Sequence, residues 1–239
     1  MSYRVLVTGG TGTLGRVVME LLARRGIEAK AMSRRTGGDL VTGRGLDEAV
    51  SGVDTVIHCA TTRGRKDLMA TGNLIAVTAK AHLVYISMVG VDRIPLGFYR
   101  TKLACERLIE ESGGPFTILR TTQFHDLLFM LFAVQRSLPA VIVPAGFRFQ
   151  PIDTSVVAAR LVDLAEFGPA GRVADMGGPE VHTAAALAGM YLRAKGSRRR
   201  AMAMPIPGKT AAGFREGYNL TPNSVPGLTF KQFLDLKLA

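Results

Sequence analysis

Three glycines at a regular spacing form the most distinctive chemical feature of the sequence. Gly9, Gly12 and Gly15 lie in the segment TGGTGTLG, residues 8–15. Small residues at this spacing let the backbone approach a pyrophosphate and let the following helix pack closely on the preceding strand. The N-terminus of that helix would then offer free N–H groups to the phosphates. The segment predicts a phosphate-binding turn, and the alternative is a tight turn without a ligand.

The residues after the second predicted strand distinguish between two dinucleotide cofactors. NAD sites usually place a carboxylate here, where it bonds the ribose 2′-hydroxyl group. This chain instead has Ser33, Arg34 and Arg35, and its next carboxylate is Asp39. Guanidinium groups match the geometry of a 2′-phosphate. We therefore predict NADP(H) as the cofactor, and the alternative is that both arginines are solvated loop residues.

The elements that must position these residues alternate between strand and helix. Residues 3–7 form a predicted buried strand, residues 14–22 have the apolar spacing of a helix, and residues 27–32 form a second strand. The alternation continues with strands at 53–60, 83–87 and 116–120 and with helices at 67–81, 99–111 and 124–135. This pattern predicts an α/β fold with a doubly wound parallel sheet of the Rossmann type.

The alternation loosens after about Leu138. Short strands are predicted at 141–143 and 147–150, and helices at 154–167, 184–194 and 230–238. We interpret residues from about 140 to 239 as a small lobe that covers the substrate at the open end of the sheet. On this interpretation residues 1–239 form a single domain.

The composition limits the classes of partner. The chain has 239 residues, of which 30 are Lys or Arg and 19 are Asp or Glu, and its net charge of +11 favours anionic partners. The basic residues are dispersed along the chain, so we do not expect nucleic acid as a partner. The longest apolar stretches are too short to span a bilayer, and we expect no membrane partner.

Cysteine usage and the N-terminal residues predict the compartment. Cys59 and Cys105 are the two cysteines, and the first residues lack the pattern of a secretory signal. We therefore expect a cytoplasmic protein in a reducing environment. The His, Cys, Asp and Glu residues do not show the spacing of metal ligands, so we predict no metal.

Several segments resemble the atypical short-chain dehydrogenase/reductase superfamily, in its NmrA-like branch. The resemblance lies in residues 8–15, 84–92 and 98–104, and further in 119–125, 150–153, 176–179 and 229–234. It therefore runs through nearly the whole chain. The resemblance implies a Rossmann-type fold and NAD(P) binding.

The resemblance also implies a set of cofactor contacts. The residues around the pyrophosphate would be Gly9, Thr11, Gly12, Thr13, Leu14 and Gly15. Ser33 and Arg34 would meet the 2′-phosphate, to which the charge argument above adds Arg35, and Asp39 and Leu40 would flank the adenine. The residues beside the riboses, the nicotinamide and the substrate would be Cys59, Ala60, Thr61, Ser87, Lys102, Thr122, Gln123 and Phe124.

The proton-transfer residues of this superfamily are only partly present. Its reductases protonate a carbonyl oxygen with a tyrosine that lies four residues before the lysine that holds the ribose. The residue four before Lys102 is Phe98, which cannot donate a proton. Tyr99 lies three residues before Lys102 and would act only if the helix were rotated or distorted. Tyr99 and Ser87 are therefore candidates whose alternative is ordinary structural use.

His125 is the best remaining candidate for a proton donor. It follows Gln123 and Phe124 at the open end of the predicted sheet, where ligands bind in such folds. Its imidazole suits proton transfer near neutral pH. The candidate catalytic residues are therefore Lys102, Tyr99 and His125, whereas we expect His58 and His82 to be packed core residues.

The helix predicted from residue 124 is unusually apolar. One face must pack in the core, and the remaining apolar residues could line a substrate pocket or form a homodimer contact. Core packing alone is the alternative.

Three functions are consistent with these features. The first is an NADPH-dependent oxidoreductase that acts on a small apolar carbonyl, quinone or enone. The second is a non-catalytic NADP(H)-sensing regulator, which the missing tyrosine favours. The third is a non-redox enzyme, such as an isomerase or cyclase, on the same scaffold.

Overall fold

The structure is a computed structural model that describes residues 3–62, 64–78 and 80–239. The predicted helix 67–81 includes Ala79, which lies outside the described residues. In chain order, the elements are β1 (Arg4–Thr8), α1 (Thr13–Arg24), β2 (Glu28–Met32), a 3₁₀ turn (Arg34–Thr36), α2 (Leu46–Val50), β3 (Thr55–His58), α3 (Arg65–Val77), β4 (His82–Met88), α4 (Gly97–Glu111), β5 (Phe116–Thr121), α5 (His125–Ala133), β6 (Ala140–Pro144), β7 (Arg148–Phe149), α6 (Thr154–Phe167), β8 (Gly171–Arg172), β9 (His182–Thr183), α7 (Ala184–Ala194), β10 (Arg200–Met204), α8 (Lys209–Arg215) and α9 (Phe230–Leu238).

A parallel six-stranded sheet forms the centre of the fold, in the order β2-β1-β3-β4-β5-β8. Its inner strands are buried on both faces, which explains the apolar run from Val5 to Val7 in β1 and the burial of all four residues of β3. Strands that alternate with helices can pair in parallel because each helix returns the chain to the same end of the sheet. The predicted Rossmann-type α/β fold is confirmed.

The strand order creates an opening beside β1. This strand pairs with β2 on one side and with β3 on the other, so the order in which successive strands are added reverses at β1. Ligands of such sheets bind outside the carboxyl ends of the strands at this switch point. The glycine-rich segment follows β1 and therefore lies at the position where a dinucleotide is expected.

Contacts between Cα atoms divide the chain into two compact units. The first unit comprises residues up to 87, 97–120 and 154–174, and it contains the six-stranded sheet, α1 to α4 and α6. The second unit comprises residues 88–96, 121–153 and 175–239. It contains α5, α7 to α9, the parallel pair of β6 and β10, and the antiparallel pair of β7 and β9. That residues 1–239 form a single domain with a C-terminal lobe is still a prediction.

Each unit has its own apolar core. In the first unit, side chains from the sheet meet those of α2, α3 and α4, with Leu6, Val56 and Leu74 fully buried. In the second unit, aromatic rings contact one another. The rings of Phe147 and Phe214 stack with their centroids 4.9 Å apart.

Two histidines are buried in the first unit, as expected from the sequence. His58 Nδ1 lies 2.6 Å from Thr8 Oγ1, and His82 Nε2 lies 2.8 Å from Thr117 Oγ1. Burial lowers the pKa of His58 to about 3 and also lowers the pKa of His82. Both imidazoles are therefore neutral at physiological pH.

We expect the free energy of unfolding to fall as the pH is lowered from about 6.5 to about 5. Native His58 stays neutral in this range, whereas the unfolded chain takes up a proton there, so acid favours the unfolded state. One such group changes the free energy of unfolding by up to about 1.4 kcal/mol per pH unit. Urea unfolding at several pH values measures this slope.

The variant His58→Gln should show a shallower decline with pH than the wild type, whatever its absolute stability. Equal slopes in wild type and His58→Gln would contradict the prediction.

Candidate functional site

The glycine-rich turn crosses the residues that follow β3 at very short range. Gly9 has a φ of +68°, in the left-handed region, and its N–H donates to Met32 O at 2.8 Å. A Cβ atom on Gly9 would lie 2.7 Å from the backbone of Ala60. Only glycine fits at this crossing, which brings the predicted pyrophosphate contacts next to the predicted ribose contacts.

The other two glycines of the turn differ in what surrounds them. A Cβ atom on Gly15 would lie 2.2 Å from Gly9 O, so the packing of α1 against the turn requires glycine there. A Cβ atom on Gly12 would meet only Gly9 O, at 3.2 Å, and Gly12 is exposed. The packing of the protein therefore explains Gly15, whereas the space beside Gly12 is open to a ligand.

The N-terminus of α1 is suited to an anion. Gly12 is the N-cap residue, and in the described part of the chain the cap has no side-chain hydrogen bond. The first turn also contains no acidic residue. The N–H groups of Thr13, Leu14 and Gly15 and the positive end of the helix dipole are thus available to a phosphate.

The turn after β2 presents polar groups without protein partners. Ser33 N–H donates to Thr36 Oγ1 at 2.8 Å, which fixes the turn, while Ser33 Oγ is buried with no hydrogen-bond partner among the described residues. Arg34 and Arg35 are exposed. Within residues 3–62, 64–78 and 80–239, neither guanidinium forms an ion pair or a side-chain hydrogen bond. The three side chains form a set that matches a phosphate group.

The two residues predicted to flank the adenine are fixed in the loop before α2. The Asp39 carboxylate accepts a hydrogen bond from Val41 N–H at 2.8 Å. Leu40 packs against the core, and its carbonyl oxygen accepts a hydrogen bond from Asn73 Nδ2 at 2.9 Å. A cleft of about 360 Å³ lies nearby, between β2 and α2, but none of the predicted contacts lines it.

Lys102 forms a buried polar cluster in the first unit. Its Nζ atom lies 3.1 Å from Thr61 Oγ1, 3.1 Å from Tyr85 OH and 3.3 Å from Asp67 Oδ2. The side chains of Lys102 and Asp67 are only 4% and 2% exposed. The ammonium group therefore contacts three protein oxygens, and the Asp67 carboxylate compensates its charge.

Two members of this cluster, Tyr85 and Asp67, are not among the residues predicted from the sequence. Tyr85 lies two residues before Ser87 on β4, so both side chains belong to one face of the sheet, and this alternation was a usable signal. Burial raises the pKa of Tyr85 well above 10, so its hydroxyl stays protonated. Asp67 lies in the first turn of α3, and its place in the sequence indicated only that a helix begins there.

The helix register places Phe98 one turn before Lys102. Helix α4 is continuous from Gly97 to Glu111, so residues 98 and 102 lie one turn apart on the same face. Lys102 Nζ is 6.0 Å from the centroid of the Phe98 ring. Tyr99 is buried and is rotated about 100° around the helix from position 98. Its catalytic role stays a prediction that this geometry does not favour.

The remaining candidates of the first unit are buried or partly buried. Ser87 Oγ is buried and has no hydrogen-bond partner in the described part of the chain. Burial raises the pKa of the Cys59 thiol to about 12, so the thiol stays protonated near neutral pH.

The second unit contains the other predicted contacts. Thr122 Oγ1 donates to Gln150 O at 2.5 Å, and Phe124 is partly buried. The carboxamide of Gln123 is buried, and neither of its polar atoms has a hydrogen-bond partner among the described residues. An unpaired buried amide is costly, so Gln123 is the best candidate in this unit for contact with a ligand.

His125 is held by the C-terminal residues of the second unit. Its Nε2 atom donates to Leu228 O at 2.9 Å, and its ring stacks on Phe233 with centroids 5.1 Å apart. Burial lowers the pKa of His125, so the ring is neutral at pH 7. Nδ1 is therefore a proton acceptor in this state, and the predicted role as donor would first require protonation.

Residues 3–62, 64–78 and 80–239 contain neither a candidate metal site nor a candidate membrane-spanning helix. No group of three His, Cys, Asp or Glu side chains could hold a metal ion. No described helix is long and apolar enough to cross a membrane.

The glycine turn gives a direct test of the phosphate site. Gly12→Val should abolish dinucleotide binding, because its side chain would occupy the space above the helix N-terminus, while the thermal midpoint should stay within a few degrees of wild type. Gly15→Ala is the matched control and should lower the thermal midpoint strongly, since its Cβ would collide with Gly9 O. Cofactor fluorescence and thermal unfolding measure both effects, and retained binding in Gly12→Val would mean that the phosphate site lies elsewhere.

Comparison with protein families and curated proteins gives partial matches. Residues 5–85 match the model of the NAD dependent epimerase/dehydratase family. The chain is 29% identical to a (4-alkanoyl-5-oxo-2,5-dihydrofuran-3-yl)methyl phosphate reductase of Streptomyces griseus subsp. griseus, over 75% of this chain and 70% of that protein. It is also 29% identical to the chloroplastic divinyl chlorophyllide a 8-vinyl-reductase of Oryza sativa subsp. indica, over 87% of this chain but only 62% of that protein.

Comparison with solved structures identifies the fold. An NADPH-dependent quinone oxidoreductase of Escherichia coli in complex with NADPH matches with a TM-score of 0.77 and 18% identity, over 98% of this chain and 100% of that chain. A nucleoside-diphosphate-sugar epimerase of Staphylococcus aureus matches with a TM-score of 0.76 and 16% identity, over 98% and 100%. The chain therefore has the Rossmann-type fold of these NAD(P)-binding proteins.

Proposed function

We propose that the protein is an NADPH-dependent oxidoreductase of the NmrA-like type that reduces a small apolar quinone or conjugated enone. The observation that carries the proposal is the glycine turn at the switch point of the sheet, which leads into an uncapped helix N-terminus. The proposal also specifies NADP(H) as the cofactor and a quinone or conjugated enone as the acceptor.

The polar groups after β2 support NADP(H) over NAD(H). Arg34 and Arg35 are exposed and Ser33 Oγ has no hydrogen-bond partner among the described residues, so all three can meet a 2′-phosphate. The nearest carboxylate, Asp39, already accepts a hydrogen bond from its own loop. The quinone oxidoreductase of similar fold also binds NADPH.

The surroundings of Lys102 support an acceptor that does not need an acid from the protein. Phe98 occupies the position from which a tyrosine would protonate a carbonyl oxygen. A quinone or a conjugated enone accepts hydride more readily than a simple ketone, and solvent can supply the proton afterwards. Two of the curated relatives are named reductases, and the substrate name of the Streptomyces reductase describes an unsaturated ring conjugated to carbonyl groups.

A binding role for Lys102 requires an exchange of partners in its polar cluster. Its ammonium already contacts three protein oxygens, so a ribose hydroxyl would have to replace one of them. Thr61 is the partner that lies outside the core, because it is exposed whereas Asp67 and Tyr85 are buried. We expect a ribose hydroxyl to replace Thr61 while the pair with Asp67 remains.

One observation favours a second candidate function, the NADP(H) sensor. Phe98 removes the proton donor but leaves the phosphate-binding turn unchanged. Such a protein would bind NADPH without turning over any acceptor.

The choice of cofactor can be tested at Arg34. We expect Arg34→Ala to weaken NADPH binding about tenfold or more, because a charge-assisted hydrogen bond to phosphate contributes roughly 1.5–3 kcal/mol. NADH binding should not change, since NADH lacks the 2′-phosphate. Fluorescence titration with both cofactors measures this difference.

Arg107→Ala provides the control, because Arg107 is an exposed arginine on α4. It should leave both affinities unchanged. If the wild type binds NADH as tightly as NADPH, the assignment of NADP(H) is wrong.

The class of acceptor can be tested at Phe98. We expect the wild type to oxidise NADPH with quinones and to reduce simple ketones and aldehydes weakly or not at all. Phe98→Tyr places a phenol one turn from Lys102 and should raise ketone reduction at little cost in stability, since the ring is retained. Tyr99→Phe should change ketone reduction little.

Two outcomes would contradict this assignment. If the wild type reduces ketones well and Tyr99→Phe abolishes that activity, Tyr99 is the acid. If NADPH binds tightly but no quinone, enone or ketone oxidises it, the sensor replaces the reductase.

A further inference from the structure

The second unit exposes apolar side chains on the pair formed by β6 and β10. The two strands run parallel, and Ile142 lies opposite Met202 in their register. Val141 and Val143 are buried, so the alternate residues of β6 face outward. Ile142, Met202 and Met204 are all large apolar residues with exposed side chains.

The end of α5 extends this apolar surface. Met130, Leu131 and Val134 are exposed, and Val134 is 70% exposed. The Gln135 carboxamide connects this end of α5 to β6, since Nε2 donates to Leu131 O at 3.0 Å and Oε1 accepts from Ile142 N–H at 2.9 Å. We define the apolar patch as Met130, Leu131, Val134, Ile142, Met202 and Met204.

The chain around the apolar patch carries charge of one sign. Residues 127–150 contain two arginines, and residues 181–215 contain seven Lys or Arg residues, while neither segment contains Asp or Glu. Arg136, Arg198 and Arg200 are exposed. The Arg199 guanidinium donates to the backbone oxygens of Gln135 and Leu138, which holds the run of arginines 198–200 against the end of α5.

This combination of charge and apolar side chains selects one class of partner. A second copy of the chain would bring like charges together across a symmetric contact, which is unfavourable. Nucleic acid would satisfy the arginines but not the aliphatic centre, and the patch contains no aromatic ring for stacking on bases. Aliphatic side chains surrounded by cations match the surface of an anionic bilayer, where headgroups meet acyl chains.

We propose that the second unit docks on bilayers that contain anionic phospholipids, with the apolar patch inserted among the headgroups and the surrounding arginines bound to phosphates. This departs from the expectation that the protein has no membrane partner. That expectation considered only helices that span a bilayer, whereas docking needs only a patch on the surface. The proposal does not depend on the identity of the reaction.

The test is flotation of the full-length chain with lipid vesicles. We expect no detectable binding to pure phosphatidylcholine and clear binding to vesicles with about one third phosphatidylglycerol, weakened by salt. Met202→Asp and the double variant Arg198→Glu, Arg200→Glu should each weaken binding about tenfold or more. All the substituted side chains are exposed, so the variants should unfold at the same temperature as wild type.

Two matched controls lie on the first unit. Phe167→Asp removes an apolar side chain that is 83% exposed on α6, and Arg107→Glu reverses an exposed charge on α4. Both should bind vesicles like wild type.

Several results would overturn the proposal. These are equal binding to both vesicle types, no binding to either, or equal weakening by Met202→Asp and Phe167→Asp. A dimer in analytical ultracentrifugation that Met202→Asp dissociates would assign the patch to a second copy. An RNA oligonucleotide that binds through the patch while vesicles do not would assign it to nucleic acid.

Discussion

The close approach of the glycine turn to the backbone after β3 is the constraint on which the first unit depends. Two main-chain segments meet at Gly9 and Ala60 with no room for a side chain, and Gly9 has the left-handed φ that glycine favours. The carbonyl oxygen of Gly9 then meets Gly15 inside α1. The position of the helix, and with it the direction of its free N–H groups, follows from these two contacts.

The buried pair of Asp67 and Lys102 is the second fixed point of this unit. Removing two charges from water is costly, and their mutual attraction together with hydrogen bonds to Thr61, Thr62 and Tyr85 offsets that cost. The pair connects the start of α3 to α4, while Tyr85 connects it to β4. A lysine held in this way can orient a cofactor, but it cannot replace the proton donor that Phe98 lacks.

The sequence predicted most reliably what depends on local periodicity. Helices α6, α7 and α9 begin and end at the predicted residues, and strands β1 to β5 of the large sheet lie within a few residues of their predicted bounds. The two-residue edge strand β8 was not predicted. Strand β10 was missed because its alanines and methionines have weak strand preference. Asp67 was not identified because the cluster forms only when distant segments meet, whereas Tyr85 could have been found from its alternation with Ser87 on β4. That the predicted cofactor contacts hold a ligand is still a prediction.

The basic residues also acquire a clearer meaning only when distant segments of the chain meet in the structure. Along the sequence the basic residues are dispersed, and no run is long enough to indicate a partner. The pairing of β6 with β10 brings together two segments that lack acidic residues, and it places Ile142 opposite Met202, two residues from Arg200. A high net charge by itself favours any anion, whereas an apolar centre surrounded by cations favours an anionic surface with an apolar interior. An apolar quinone or enone would concentrate in that same interior, so a reductase docked there would meet its acceptor at a high local concentration.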